Sequence, residues 1–149
     1  MALVKYKSTT RKLKGGLAVE SQARNFKIVM DEPETLGGTN TGINPVETLL
    51  CAFGACQTIV ALAFAQSQNI NLQDFWVDVE GDLDPDGFMK GAPGIRPGFQ
   101  EVRFTMHIKS NSSEDKVQAF QKFIENRCPV SDTLSKGVAI KPGKIVIEK

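Results

Sequence analysis

The stretch from Asn44 to Gln68, NPVETLLCAFGACQTIVALAFAQSQ, constrains the fold more than any other part of the chain. It opens as a helix should. Asn44 stands at the N-cap, Pro45 at the first helical position, and Glu47 at the third, where its carboxylate can reach back to the Asn44 N–H. From Thr48 onward it is apolar almost all the way round, and a helix with no polar face either spans a membrane or fills a core. Gln57 and Thr58 interrupt it near the middle, and the run falls short of the roughly 18–20 clean apolar residues that a bilayer demands. A central buried helix is expected, and no membrane partner.

The segments around it read as mixed α and β. Leu3–Lys7 and Gly16–Glu20 form strand-like runs split by Gly15-Gly16, as in a hairpin, and Phe26–Met30 is a third strand. Leu36–Ile43 is a loop rich in Gly, Thr and Asn. Asp74–Glu80 and Glu101–Lys109 alternate as half-buried strands do. Between them, residues 81–98 hold five Gly and three Pro, a connection long enough to serve as a lid. Ser113, Glu114 and Asp115 open a second helix whose stripe of Val117, Phe120, Phe123 and Ile124 ends at Arg127. Pro129 stops that helix. Ser131–Lys136 should be a short helix and Lys144–Glu148, KIVIE, a last strand. No repeat or second domain is visible, so one domain over residues 1–149 is expected.

Composition narrows the chemistry. With 18 Lys+Arg against 17 Asp+Glu, the chain lacks the basicity that nucleic-acid binding calls for. The one histidine, His107, lies on the polar face of its strand and reads as a surface residue, leaving no ligand set for a metal centre. Three cysteines are too few for a disulfide scaffold, and the N-terminus has no signal-like apolar run, so free thiols in the cytoplasm are expected.

The three thiols separate by position. Cys128 precedes Pro129 and falls on or beside the N-cap of the short helix, where the dipole and unpaired N–H groups favour a thiolate. Cys56 sits in Gly54-Ala55-Cys56-Gln57-Thr58, the small residues permitting close approach of another backbone and the next two marking a polar patch. Cys51, five residues earlier, is turned about 140° away and reads as core packing.

Asn44-Pro45, Glu47, Leu49-Leu50, Gly54-Ala55-Cys56 and Cys128-Pro129-Val130 together resemble the OsmC/Ohr family. Asp31, Leu36-Gly37-Gly38, Gly42 and the terminal KIVIE fit the same pattern, so the resemblance spans the whole chain. It implies an α+β OsmC-like fold, antiparallel sheets around the central helix, and an intertwined homodimer. It further implies a peroxidase without cofactor or metal, in which Cys56 attacks a small-molecule peroxide and Cys128 resolves the product for reduction by a dithiol.

The chain departs from the peroxidase branch of that family at the groups that activate the thiol. That branch carries a glutamate directly after Asn-Pro, where this chain has Val46; Glu47 lies one residue on, which turns it about 100° around the helix. The branch's early arginine has no counterpart near Gly15-Gly16, where Arg11 and Lys14 are the nearest cations. Arg96 and Arg103 are further candidates to support Cys56. A second expectation stands beside the peroxidase: a non-catalytic dimer that binds or senses a small apolar or electrophilic ligand.

Overall fold

The computed structural model describes residues 2–148. Its contacts fall into two compact units, residues 1–51 and 52–149, and the long helix begins in the first and continues in the second.

In the first unit, β1 (Thr9–Lys12), β2 (Val19–Ala23) and β3 (Phe26–Met30) form an antiparallel sheet in that order. The β1–β2 turn falls at Gly15-Gly16, both with positive φ (78° and 58°), which glycine adopts without steric cost. The first strand itself differs from expectation. Residues 3–7 form none, and pairing starts in the basic run after them, with Arg11 opposite Glu20. A short 3-10 turn at Glu34–Leu36 leads into the Gly/Thr loop. That loop is tied to Asp31, a buried carboxylate that accepts from the backbone N–H groups of Glu32, Thr39 and Thr41 and from both threonine hydroxyls. These donors favour the ionised form and hold the Asp31 carboxyl far below the usual carboxylate range.

Helix α1 runs from Pro45 to Phe64 and starts on the capping box read in the sequence. The Glu47 N–H donates to Asn44 Oδ1 and the Asn44 N–H donates to Glu47 Oε2, both at 2.8 Å.

In the second unit, β4 (Leu72–Asp82) pairs antiparallel with β5 (Glu101–Ser110). Alternation turns Phe75 and Val77 of β4 and Phe104, Met106 and Ile108 of β5 to one side. Val60, Ala61 and Ala65 pack there with Ile70, Phe75 and the Phe120–Ile124 pair of α3 (Glu114–Arg127). Phe53 meets Phe104 edge-on and Phe64 meets Phe123 likewise, with ring centroids 5.3 Å apart in each pair. Burying a side chain such as Phe120 or Ile124 contributes about 1.5–3 kcal/mol. The 81–98 connection contains a helical turn that sequence reading missed, α2 (Pro85–Met89), capped by Asp84. Helix α4 (Pro129–Lys136) completes the unit.

Three further expectations need correction. Helix α1 is not buried all round within one chain: Phe53, Gln57, Val60 and Ala61 are buried, while Ile59 and Leu62 on the other side are each 65% exposed. Cys51 is exposed rather than core, because the turn that separates it from Cys56 carries it to that open side. The KIVIE segment forms no strand; residues 137–148 lack regular structure, and Ile145, Val146 and Ile147 are exposed. A strand exists only against an edge that accepts its hydrogen bonds, and among the described residues of this chain none pairs with it.

Candidate thiol site

Helix α3 ends and α4 begins at one residue, Cys128. Its N–H donates to the Ile124 carbonyl at 3.0 Å, closing α3, and its carbonyl accepts from the Asp132 N–H at 3.1 Å, opening α4. Pro129 at the first helical position makes the junction sharp, as the sequence suggested. The Cys128 sulfur is the cap itself, accepting from the Ser131 N–H at 3.3 Å.

Cys128 is 1% exposed, and the stripe Phe120–Ile124–Cys128, at four-residue spacing, turns it into the protein. Cys56, halfway along α1 and partly buried, is near enough to influence its titration. Burial pushes the Cys128 thiol above the usual range, and the neighbouring Cys56 thiol pushes the same way. The backbone donors of Ser131 and Val130 oppose this shift without overcoming it. The helix N-terminus therefore does not make Cys128 a thiolate, contrary to expectation, because desolvation of the charged form is the larger effect. Cys128 holds its proton, and Cys56 is the more accessible sulfur of the two.

Two of the four supporting candidates, Arg103 and Glu47, have partners of their own. Arg103 sits on the exposed face of β4–β5, donating to Glu80 Oε1 (2.8 Å), Asp82 Oδ2 (2.6 Å) and Glu101 Oε1 (2.9 Å). The carboxylates hold its charge more firmly still, and the Arg103 guanidinium in turn holds Asp82 below its ordinary range. Glu47 is spent on the helix cap. Arg11 is exposed on β1, and Arg96 is exposed in the connection between β4 and β5. His107 is the surface residue expected, stacked on Trp76 at 4.5 Å with Nε2 2.8 Å from Asp78 Oδ2. Among the described residues no group of three His, Cys, Asp or Glu side chains is arranged to hold a metal.

One residue beside Cys56 carries more than its sequence position suggested. Gln57 is fully buried, and among the described residues neither its Nε2 nor its Oε1 has a hydrogen-bond partner. The sequence marked it only as a polar break in an apolar helix.

Comparison with known proteins follows from this geometry. The family model of OsmC-like protein matches residues 38–142. A hydroperoxide reductase of Mycoplasma pneumoniae is 27% identical over 99 residues, a stretch that spans 64% of this chain and 64% of that protein. The crystal structure of an OsmC-like protein from Mycoplasma pneumoniae superposes with a TM-score of 0.78 at 25% identity, covering 91% of this chain and 89% of the other. An organic hydroperoxide resistance protein of Legionella pneumophila shares the fold, with a TM-score of 0.68 at 22% identity over 95% and 96% of the two chains.

Proposed function

Because the chain belongs to the OsmC-like family, we propose that it is a thiol-dependent peroxidase that reduces organic hydroperoxides or hydrogen peroxide through Cys56 and Cys128. The influence of one thiol on the other, with Cys56 partly open and Cys128 buried and protonated, carries the reading. The hydroperoxide reductase and hydroperoxide resistance proteins among its relatives support it.

The chemistry follows from the two environments. The Cys56 thiolate attacks the terminal oxygen of ROOH; an S–O bond forms, the O–O bond breaks, and RO⁻ takes a proton to leave as ROH. Cys56 is then a sulfenic acid, oxidised by two electrons. The Cys128 sulfur attacks it, the S–S bond forms, and the sulfenic oxygen departs with the Cys128 proton as water. An external dithiol returns both thiols, and no metal or organic cofactor takes part. The reducing cytoplasm suits this cycle.

We further propose that the working unit is a homodimer. Ile59 and Leu62 on the open side of α1, and Ile145–Ile147 in the unpaired tail, expose apolar side chains that a second copy would cover. Lipid is a poorer occupant for this helix, since its other side already packs on a sheet through Phe53.

The test is consumption of tert-butyl hydroperoxide in the presence of excess dithiol. Wild-type protein should turn over, Cys56→Ser should not, and peroxide alone should join Cys56 to Cys128. Oxidised protein with three titratable thiols would instead favour the ligand-binding dimer.

A further inference from the structure

Gln57 has no role in the cycle described above, yet its position is costly. A primary amide buried in a protein interior normally finds partners, because the hydrogen bonds it leaves in water must be replaced. Here both the donor and the acceptor of one side chain go without, among the described residues. Phe53, Val60 and Ala61, which share its side of α1, are all apolar. Leucine would fill such a place at no polar cost. Gln57 follows Cys56 directly, one helical step of about 100° around α1, and that step takes it from a partly buried position to a fully buried one.

The unmet group must both donate and accept. Resting thiols serve poorly, because sulfur is a weak partner in either direction. The transferred oxygen serves well. As the terminal O–H of a hydroperoxide, it donates one hydrogen bond and accepts others, and it keeps both capacities as the O–H of a sulfenic acid.

We infer that Gln57 is the residue that holds the transferred O–H at Cys56. Its Oε1 accepts from that hydroxyl and its Nε2 donates to the oxygen, first on the hydroperoxide and then on the sulfenic acid. This rests on the peroxidase reading and adds a substrate-contacting residue to it. The sulfur supplies the two electrons, the O–O bond breaks as before, and the amide gains and loses nothing. Because the amide addresses only the –OOH end, hydrogen peroxide and organic hydroperoxides depend on it alike.

The experiment uses full-length protein carrying Cys128→Ala, so that the sulfenic acid persists, with and without Gln57→Leu. Cys56 oxidation by tert-butyl hydroperoxide and by hydrogen peroxide is followed by dimedone trapping and intact mass. Alkylation of Cys56 by iodoacetamide, which transfers no hydroxyl, is followed in parallel, with the thermal midpoint of each variant. Gln57→Leu should slow oxidation by both peroxides on the order of tenfold, the effect of losing one such hydrogen bond. Alkylation should be unchanged and the thermal midpoint equal or higher. Equal slowing of both reactions, or a lowered midpoint with unchanged oxidation, would mean that Gln57 is paired within the fold or by a second copy, and would overturn the assignment. So would unchanged oxidation with an unchanged midpoint. A parent protein that alkylates normally but is inert to both peroxides would remove the peroxidase reading itself, and this role with it.

Discussion

Thr39 donates twice to Asp31, through its backbone N–H at 2.9 Å to Oδ2 and through its hydroxyl at 2.6 Å to the same oxygen. The loop before α1 is thus shaped around one buried charge. Asp31→Ala should lower the thermal midpoint by several degrees, and Asp31→Asn should do so less, since an amide oxygen still accepts. The carboxyl titrates lower in the folded than in the unfolded chain, so its contribution is complete above about pH 4 and fades as pH falls below that. Wild-type stability should therefore drop on acidification below about pH 4 more steeply than that of Asp31→Asn. Thermal melts between neutral and acid pH decide this.

Cys128 should resist alkylation at neutral pH in the folded protein, because its thiol is raised by burial and by Cys56. Cys56→Ala removes the second cause and leaves the first. The pH profile of Cys128 alkylation should move to lower pH in that variant while staying above that of an unstructured thiol. A profile that does not move would mean that the two sulfurs do not interact.

Arg103 joins Glu80, Asp82 and Glu101 on an exposed sheet face, so its removal leaves three carboxylates facing one another. Arg103→Ala should reduce stability most at low ionic strength, and molar salt should recover much of the loss, since screening then acts within about 3 Å. Peroxide turnover should remain within about twofold of wild type, a change worth less than a single surface interaction. A large loss of turnover at unchanged stability would return Arg103 to the active site.

Two glycines should respond in opposite ways. A Cβ at Gly38 would overlap the Glu32 carbonyl, so Gly38→Ala should fold poorly. A Cβ at Gly54 would rest 3.4 Å from Val79 Cγ2, an ordinary contact, and alanine favours helix by about 0.5–1 kcal/mol. Gly54→Ala should keep its melting temperature or gain slightly, as calorimetry would show.

Leu62→Asp places a charge on the open side of α1. Sedimentation should show a homodimer for wild type and a lighter species for this variant. Wild-type protein that sediments as a monomer at micromolar concentration would remove the dimer from the proposal.

The capping box at Asn44 and Glu47, the break at Pro129 and the sulfur cap at Cys128 were legible because each is a local bargain among neighbouring residues. The acids that occupy Arg103 were not, since two of them come from a strand more than twenty residues away and only the β4–β5 register brings them near. The all-apolar α1 and the KIVIE segment misled for a shared reason. Hydrophobicity marks what is finally covered, and it does not say whether the cover belongs to the same chain. Cys51 was assigned to the core by that same logic. Gln57 stood out as a polar break, but only its burial without partners shows the demand it makes.

Cys128 ties two helices together through three of its own atoms: nitrogen to α3, oxygen and sulfur to α4. A sulfur drawn into a covalent bond with Cys56 is a weaker acceptor for the Ser131 N–H, and the first turn of α4 then loses part of its anchor. Under the proposed cycle the oxidation state of the thiols would be written into the backbone, and amide exchange at Ser131 would be a gauge of it that needs neither peroxide nor reductant.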